Sequence, residues 1–291
     1  MSFLVDDVES HRIVNVASVP QRSPFRYPGG KTWLVPDVRD WFRHRDRQPR
    51  ELIEIFAGGG IVGLTAAFEK LAAHVTLVEL DPDVAAVWQT ILSDDAEWLS
   101  ERIVSFELTE QSAQEIVTST PASTRERAFS TILRNRINHG GILAPGSGIL
   151  KFGENGKGIH SRWYASTLAR RIRNIHSVRH LISFIEGDGL KVMEQRASDP
   201  DVTFFIDPPY TAGGKRAGKR LYTYNELDHE GLFSLAESVR GDFLMTYDQA
   251  EEIELLAKKH GFDIDTVAMK NRHHSAMKEY LISKRLNGKK R

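Results

Sequence analysis

Asp207, Pro208, Pro209 and Tyr210 set a carboxylate, two residues without an N–H and an aromatic ring at the end of one apolar run, Val202 to Ile206. The run reads as a buried strand. Each proline removes a donor and biases the residue before it toward extended geometry, so the strand must stop in a stiff turn. Such a turn aims the Tyr210 ring and the Asp207 carboxylate at one point and leaves the carbonyls of Asp207 and Pro208 as acceptors. That set suits the exocyclic amine of a nucleobase, with acceptors for its two N–H bonds and a flat face for its ring. The plainer alternative is an ordinary strand ended by prolines.

A second constellation is Gly58-Gly59-Gly60-Ile61-Val62-Gly63, which follows an apolar stretch and opens a helical one. It fits the dinucleotide pattern G-x-G-x-x-G, and Glu79 lies about 20 residues on, where that pattern places an acid for ribose hydroxyls. Read alone, this suggests an NAD enzyme. The physics is less specific, because glycines admit any ligand close to the backbone and a strand-tip acid binds the ribose of any adenosine cofactor. S-adenosylmethionine presents that ribose without a pyrophosphate, and a purely structural glycine turn is a third reading. Gly30-Lys31-Thr32 resembles the end of a phosphate-binding loop, but the full pattern needs a glycine where Phe25 stands. What remains there is a glycine turn between Tyr27 and Lys31.

The elements that must position these residues alternate. Strands are predicted at Glu51 to Phe56, Val75 to Val78, Leu181 to Ile185, Val202 to Ile206, Phe243 to Tyr247 and Tyr280 to Ser283, with helices at Ile61 to Lys70 and Pro82 to Ile91. Strand-helix alternation implies an α/β fold with a largely parallel sheet. From about Ser93 to His180 the rhythm changes to helical stretches around a glycine-rich loop, His139 to Gly158, which reads as an insert. The domains expected are therefore 20–92 with 181–291, interrupted by 93–180.

The 291 residues carry no net charge, but the distribution is uneven. Acids dominate Asp94 to Glu115, whereas eleven Lys and Arg residues face only Glu126 and Glu154 between Arg125 and Arg179. Lys215, Arg216, Lys219 and Arg220 follow the Asp-Pro-Pro-Tyr turn. Local basic excess suits phosphate contacts, and a solvated face is the plainer reading. The absence of cysteine excludes disulfides and thiolate metal sites. His273-His274 has no acid at ligand spacing, so no metal site is expected. The acidic start, Met1 to Asp7, does not read as a signal peptide, and no apolar run approaches a membrane span. A soluble, cytoplasmic protein is expected.

Together, Tyr27-Pro28-Gly29-Gly30-Lys31, then Glu54-Ile55-Phe56-Ala57-Gly58-Gly59-Gly60, then Asp207-Pro208-Pro209-Tyr210 resemble the Dam-type (alpha-class) adenine-specific DNA N6-methyltransferases in kind and in order. Asn135-Arg136-Ile137-Asn138-His139-Gly140-Gly141 resembles the segment that opens that family's recognition region, and the likeness spans roughly Pro24 to Lys284. Tyr27 stands where the family often has tryptophan, and Glu79 where aspartate is commoner.

The resemblance implies a Rossmann-like S-adenosylmethionine-dependent methyltransferase sheet carrying a mostly helical target-recognition insert. It implies transfer of a methyl group to the N6 amine of a flipped adenine in a specific duplex DNA sequence, without a metal. Catalysis would fall to Asp207, Pro208, Pro209 and Tyr210. Cofactor binding would fall to Tyr27, Lys31, Phe56, Ala57, Gly58, Gly60, Glu79, Asp188 and Asp207. DNA contacts would fall to Arg134, Arg136, Arg162, Lys215 and Arg216. Duplex DNA is the implied partner, the setting a bacterial or phage modification system with room for a cognate restriction endonuclease. Stacking plus two acceptors would also suit RNA or a cytosine N4 amine, and a catalytically inactive nucleic-acid-binding regulator on the same fold is the non-enzymatic alternative.

Overall fold

The computed structural model describes residues 18–26, 30–144, 146–209, 227–270 and 276–286. Among these residues seven strands form one sheet: β1 Glu51–Glu54, β2 His74–Glu79, β3 Ile182–Glu186, β4 Val202–Ile206, β5 Asp242–Asp248, β6 Asp263–Lys270 and β7 Ala276–Ser283. Their order is β3-β2-β1-β4-β5-β7-β6. The first five pair in parallel, and β7 runs antiparallel to both β5 and β6. The sequence reading placed the five parallel strands to within a few residues and caught the end of β7, but missed β6. Edge strand β6 alternates acids with apolar residues at Asp263, Ile264 and Asp265, and so has no continuous apolar run to announce it.

Parallel strands need crossovers, and the helices supply them on both faces. In chain order among the described residues these are α1 Val35–Arg43, α2 Ile61–Glu69, α3 Pro82–Leu92, α4 Ala96–Ser105, α5 Glu110–Thr118, α6 Thr124–Ile137, α7 Ala165–Ser177, α8 Gly189–Arg196, α9 His229–Ser238 and α10 Glu251–Lys259. Strand alternation divides the core. Leu52, Val75, Leu77 and Phe205 face one layer, while Ile53, Ile55, Val78, Phe204 and Ile206 face the other with residues of α9 and α10.

The segment expected as an insert, 93–180, contributes Leu99, Ile103, Phe129, Ile132, Leu168 and Ile172 to the first of these layers, beside Trp88 and Ile91 of α3. Only a small cluster of Leu108, Ala113, Leu133, Ile137 and Ile159 is its own. Its helices are thus seated on the sheet domain by shared apolar burial.

One geometric fact decides where a ligand sits. The chain leaves β1 toward β2 and β3, then returns beside β1 as β4 and continues the other way to β5. In an open parallel sheet the crevice outside the carboxyl ends at such a reversal is the ligand site. Glu54, Glu79 and Glu186 end their strands there, and Asp207 follows β4 directly.

Candidate active site

The turn after β1 brings backbone to the crevice. Gly58 and Gly60 take φ of +46° and +62°, a region that side-chain-bearing residues rarely adopt. A Cβ at Gly60 would also meet the Trp88 ring at 2.8 Å. Trp88 holds the turn from below, its Nε1–H donating to the Gly58 carbonyl at 3.0 Å. Glu54 lies buried under the same turn and accepts the Gly63 N–H at 2.6 Å. Burial pushes its carboxyl up to about 8, against the pull of the Gly63 N–H, and the charge of Asp207 raises it further.

Glu79 closes β2 with both oxygens engaged. Oε2 accepts the Gly58 N–H at 2.8 Å, and Oε1 accepts those of Leu80 and Asp81, each at 2.9 Å. Burial raises this carboxyl to about 7 even though the three N–H groups favour its charge. The donors lock one orientation at the strand tip, and carboxylate oxygens keep lone-pair capacity for a ribose hydroxyl. Asp188 caps α8 by accepting the Leu190 N–H at 2.9 Å. A Cβ on the next residue, Gly189, would collide with the Ile55 carbonyl oxygen, so only glycine brings this cap against the end of β1.

Asp207 is held from two sides. Its Oδ1 accepts from Thr246 Oγ1 of β5 at 2.8 Å and pairs with Lys31 Nζ at 2.9 Å. The same ammonium pairs with Glu279 of β7 at 3.2 Å. Lys31 and Glu279 are 2% and 3% exposed, so that ion pair is essentially dry, while Asp207 keeps part of its side chain open to the crevice. Burial alone would lower the Lys31 pKa, but the two carboxylates outweigh it and hold the group above the usual lysine range. Lys31 therefore reaches the expected cavity, but with its ammonium committed to Asp207 and Glu279.

One cavity of about 560 Å³ collects these groups, a size suited to a cofactor. Lys31, Phe56, Ala57, Gly58, Gly60, Glu79, Asp188, Asp207 and Pro209 all line it. Tyr27, Tyr210, Lys215 and Arg216 lie outside the described residues, as does His273-His274.

The three insert arginines expected on DNA have different surroundings. Arg134 is half-buried and pairs with Asp83, in the first turn of α3, at 2.5 Å. Arg136 is 4% exposed, lines the cavity, and donates from Nη2 to the Pro24 carbonyl. Arg162 lines the cavity beside it. The basic run reads as a surface in one dimension, but α6 turns Arg134 and Arg136 toward different neighbours.

Sequence reasoning also missed Thr246, Glu279 and Arg171. For Glu279 a signal existed: it falls in phase with the buried Leu281 and Ser283 of β7, where a charge needs a partner. Among the described residues no group of three or more His, Cys, Asp or Glu could hold a metal, and no helix is long and apolar enough to cross a membrane.

A parallel sheet with this strand order and one antiparallel edge hairpin, carrying a glycine turn and a strand-tip acid at its carboxyl edge, is a Rossmann-like α/β fold. The residues fit S-adenosylmethionine as cofactor: a side-chain-free backbone at Gly58 to Gly60 permits close approach, and the Glu79 carboxylate lines the same cavity at the strand tip. Residues 27–129 match the family described as D12 class N6 adenine-specific DNA methyltransferase, so the resemblance seen in the motifs holds over that stretch. The matched stretch contains Lys31, the glycine turn, Glu79 and the first part of the insert; Asp207 lies beyond it. No curated protein matches the chain. Among solved structures, an rRNA methyltransferase of Streptomyces viridochromogenes is 13% identical, with a TM-score of 0.41 over 95% of this chain and 92% of that one. A precorrin-6y C5,15-methyltransferase of Geobacter metallireducens is 9% identical, with a TM-score of 0.35 over 95% of this chain and 94% of that one.

Proposed function

We propose that this protein is an S-adenosylmethionine-dependent methyltransferase that acts on the N6 amine of an adenine flipped out of duplex DNA. The observation that carries the reading is Asp207, pinned at the switch-point edge of the sheet and lining the same cavity as the glycine turn and Glu79. The family match over 27–129 supports adenine in DNA as the target.

Bound S-adenosylmethionine supplies a methyl group on a sulfonium, an already activated leaving group. The protein's part is to bind, aim and polarise. Gly58 to Gly60 and Glu79 hold the adenosyl end, with Asp188 beside them. Extruding the base costs a few kcal/mol, which contacts in the pocket must return. The Asp207 carboxylate and the Pro208 carbonyl accept the two N6–H bonds and localise the nitrogen lone pair as the amine becomes tetrahedral, which stabilises developing positive charge. Lys31 and Thr246 fix the Asp207 rotamer, so this acceptor costs little reorganisation at the moment of transfer. Tyr210, by the family resemblance, stacks the base.

Segment 93–180 acts as the target-recognition insert in this reading. Its exposed face carries Lys151, Phe152, Lys157, Tyr164 and Arg170, which offer charge to phosphates and rings to grooves or unpaired bases. Radiolabelled methyl transfer to a randomised duplex library, followed by nucleoside chromatography, tests the proposal. N6-methyladenine confined to one sequence context is expected, and Asp207→Ala should abolish it while cofactor binding persists. Label appearing only in RNA, only as N4-methylcytosine, or undiminished in the Asp207 variant would refute the assignment.

A further inference from the structure

Arg136 and Arg171 come from α6 and α7 of the insert, yet both line the cavity that holds the glycine turn and Glu79. Neither is paired with a carboxylate among the described residues. Arg136 Nη2 and Arg171 Nη1 donate instead to the carbonyls of Pro24 and Ser23, the latter at 3.1 Å. The buried Arg136 Nε has no hydrogen-bond partner. A buried guanidinium donor without an acceptor calls for an explanation, because desolvating it costs more than an ordinary hydrogen bond returns. The surroundings sharpen the point. Burial, then repulsion from Arg171, Arg26 and Arg162, pulls Arg136 down to about 9, so it remains charged at neutral pH in a place that disfavours charge. Arg171 is lowered as well, by burial and then by Arg170.

The opposite wall of the cavity has the opposite sign. Asp81, Asp188 and Asp207 line the strand edge, joined by Glu79, whose carboxyl ionises around 7, and by Glu54, which burial keeps largely protonated at neutral pH. Lys31, which also lines the cavity, is held between Asp207 and Glu279. An oxyanion entering this cavity is therefore repelled from the sheet and drawn to the arginines. A ligand with its ribose at Glu79 and its methyl directed at Asp207 has one arm left on sulfur, the amino-acid arm. That arm ends in the ligand's one carboxylate and in an ammonium of the sign that suits the acidic wall.

We propose that Arg136 and Arg171 seat the α-carboxylate of the cofactor, so that the insert supplies half of the cofactor site. The inference rests on the reading of this cavity as the S-adenosylmethionine site. It assigns to α6 and α7 a second task beside DNA recognition: cofactor binding neutralises their converging guanidinium groups and ties the insert to the sheet.

Calorimetry on the full chain with two thioether fragments of the cofactor tests this. S-adenosylhomocysteine keeps the carboxylate, and 5′-methylthioadenosine keeps the adenosyl thioether without it. Wild-type protein should bind the first far more tightly. Arg171→Ala and Arg136→Gln should each weaken S-adenosylhomocysteine binding by roughly 10- to 100-fold, the scale of a charged hydrogen bond, and leave 5′-methylthioadenosine binding unchanged. Arg171 is only half-buried, so its variant stands if the Arg136 variant melts; ligand-free thermal melts identify that case. Equal loss for both ligands in the Arg171 variant, or no loss for either, overturns the proposal. Loss of duplex DNA affinity with unchanged S-adenosylhomocysteine affinity also overturns it and makes the arginines a phosphate seat. Wild-type protein that binds neither ligand removes the cofactor reading itself, and the inference with it.

Discussion

Lys31→Met isolates the ion triad behind Asp207. The substitution keeps the length of the stem and removes the ammonium. Two ion pairs disappear, at 2.9 Å to Asp207 and 3.2 Å to Glu279. At an effective dielectric of about 20, each is worth about 5–6 kcal/mol of Coulomb attraction before desolvation is charged against it. The desolvation is substantial, since Lys31 and Glu279 are 2% and 3% exposed. The net expectation is the cost of stranding one side of a buried pair, about 3–5 kcal/mol. For a chain of this size that corresponds to a fall in Tm of roughly 6–20 °C, at about 2–4 °C per kcal/mol. Denaturant unfolding measures the loss directly. The double variant Lys31→Met with Glu279→Gln removes one of the stranded carboxylates and should recover a large part of it, because contacting residues are not additive. The pH dependence has a definite sign. Lys31 is raised in the folded state, so its stabilisation is complete below the unfolded value near 10.5 and is lost as pH rises through the higher folded value. Wild-type protein should show that alkaline loss and Lys31→Met should not. Stability of Lys31→Met within about 1 kcal/mol of wild type, or strict additivity in the double variant, would refute the reasoning.

Three further outcomes are expected. Glu54 is raised to about 8 in the folded state against 4.5 unfolded, so the native protein holds an extra proton between those values and loses stability as pH climbs through that window, by on the order of a few kcal/mol. Glu54→Gln should flatten that slope in denaturant melts taken from pH 4.5 to 8, and an unchanged slope would count against it. Glu79 is raised to about 7, and its ionised form is the better acceptor for hydroxyls, so affinity for S-adenosylhomocysteine should rise with pH through that value; Glu79→Ala should weaken binding by about 1–3 kcal/mol and remove the pH dependence seen in calorimetry. Gly60→Ala forces a side chain into φ +62° with its Cβ 2.8 Å from Trp88, and should destabilise the fold by about 1–3 kcal/mol and depress cofactor affinity, both visible in thermal melts with and without ligand.

Much of this molecule is written locally. The apolar run at Val202 to Ile206 coincides with β4, because a strand buried on both faces needs apolar residues throughout. Glycines 58 and 60 announced a turn that no other residue fits, and Asp81-Pro82 announced the start of α3, where the Asp81 side chain accepts the Asp83 N–H. Chemistry that depends on one residue type at one strand end was legible for the same reason. The partners of those residues were not. Lys31 and Glu279 flank Asp207 from opposite ends of the chain, and only the sheet order, which sets β7 beside β5 and β5 beside β4, brings them together. The arginines show the same limit within a single helix. Arg134 and Arg136 stand two residues apart in one basic run, yet successive helix positions rotate by about 100°, so one pairs with Asp83 and the other is buried in the cavity. Composition along a chain records how much charge a segment carries. Which way each charge faces is decided when the layers pack and each buried group must find a partner.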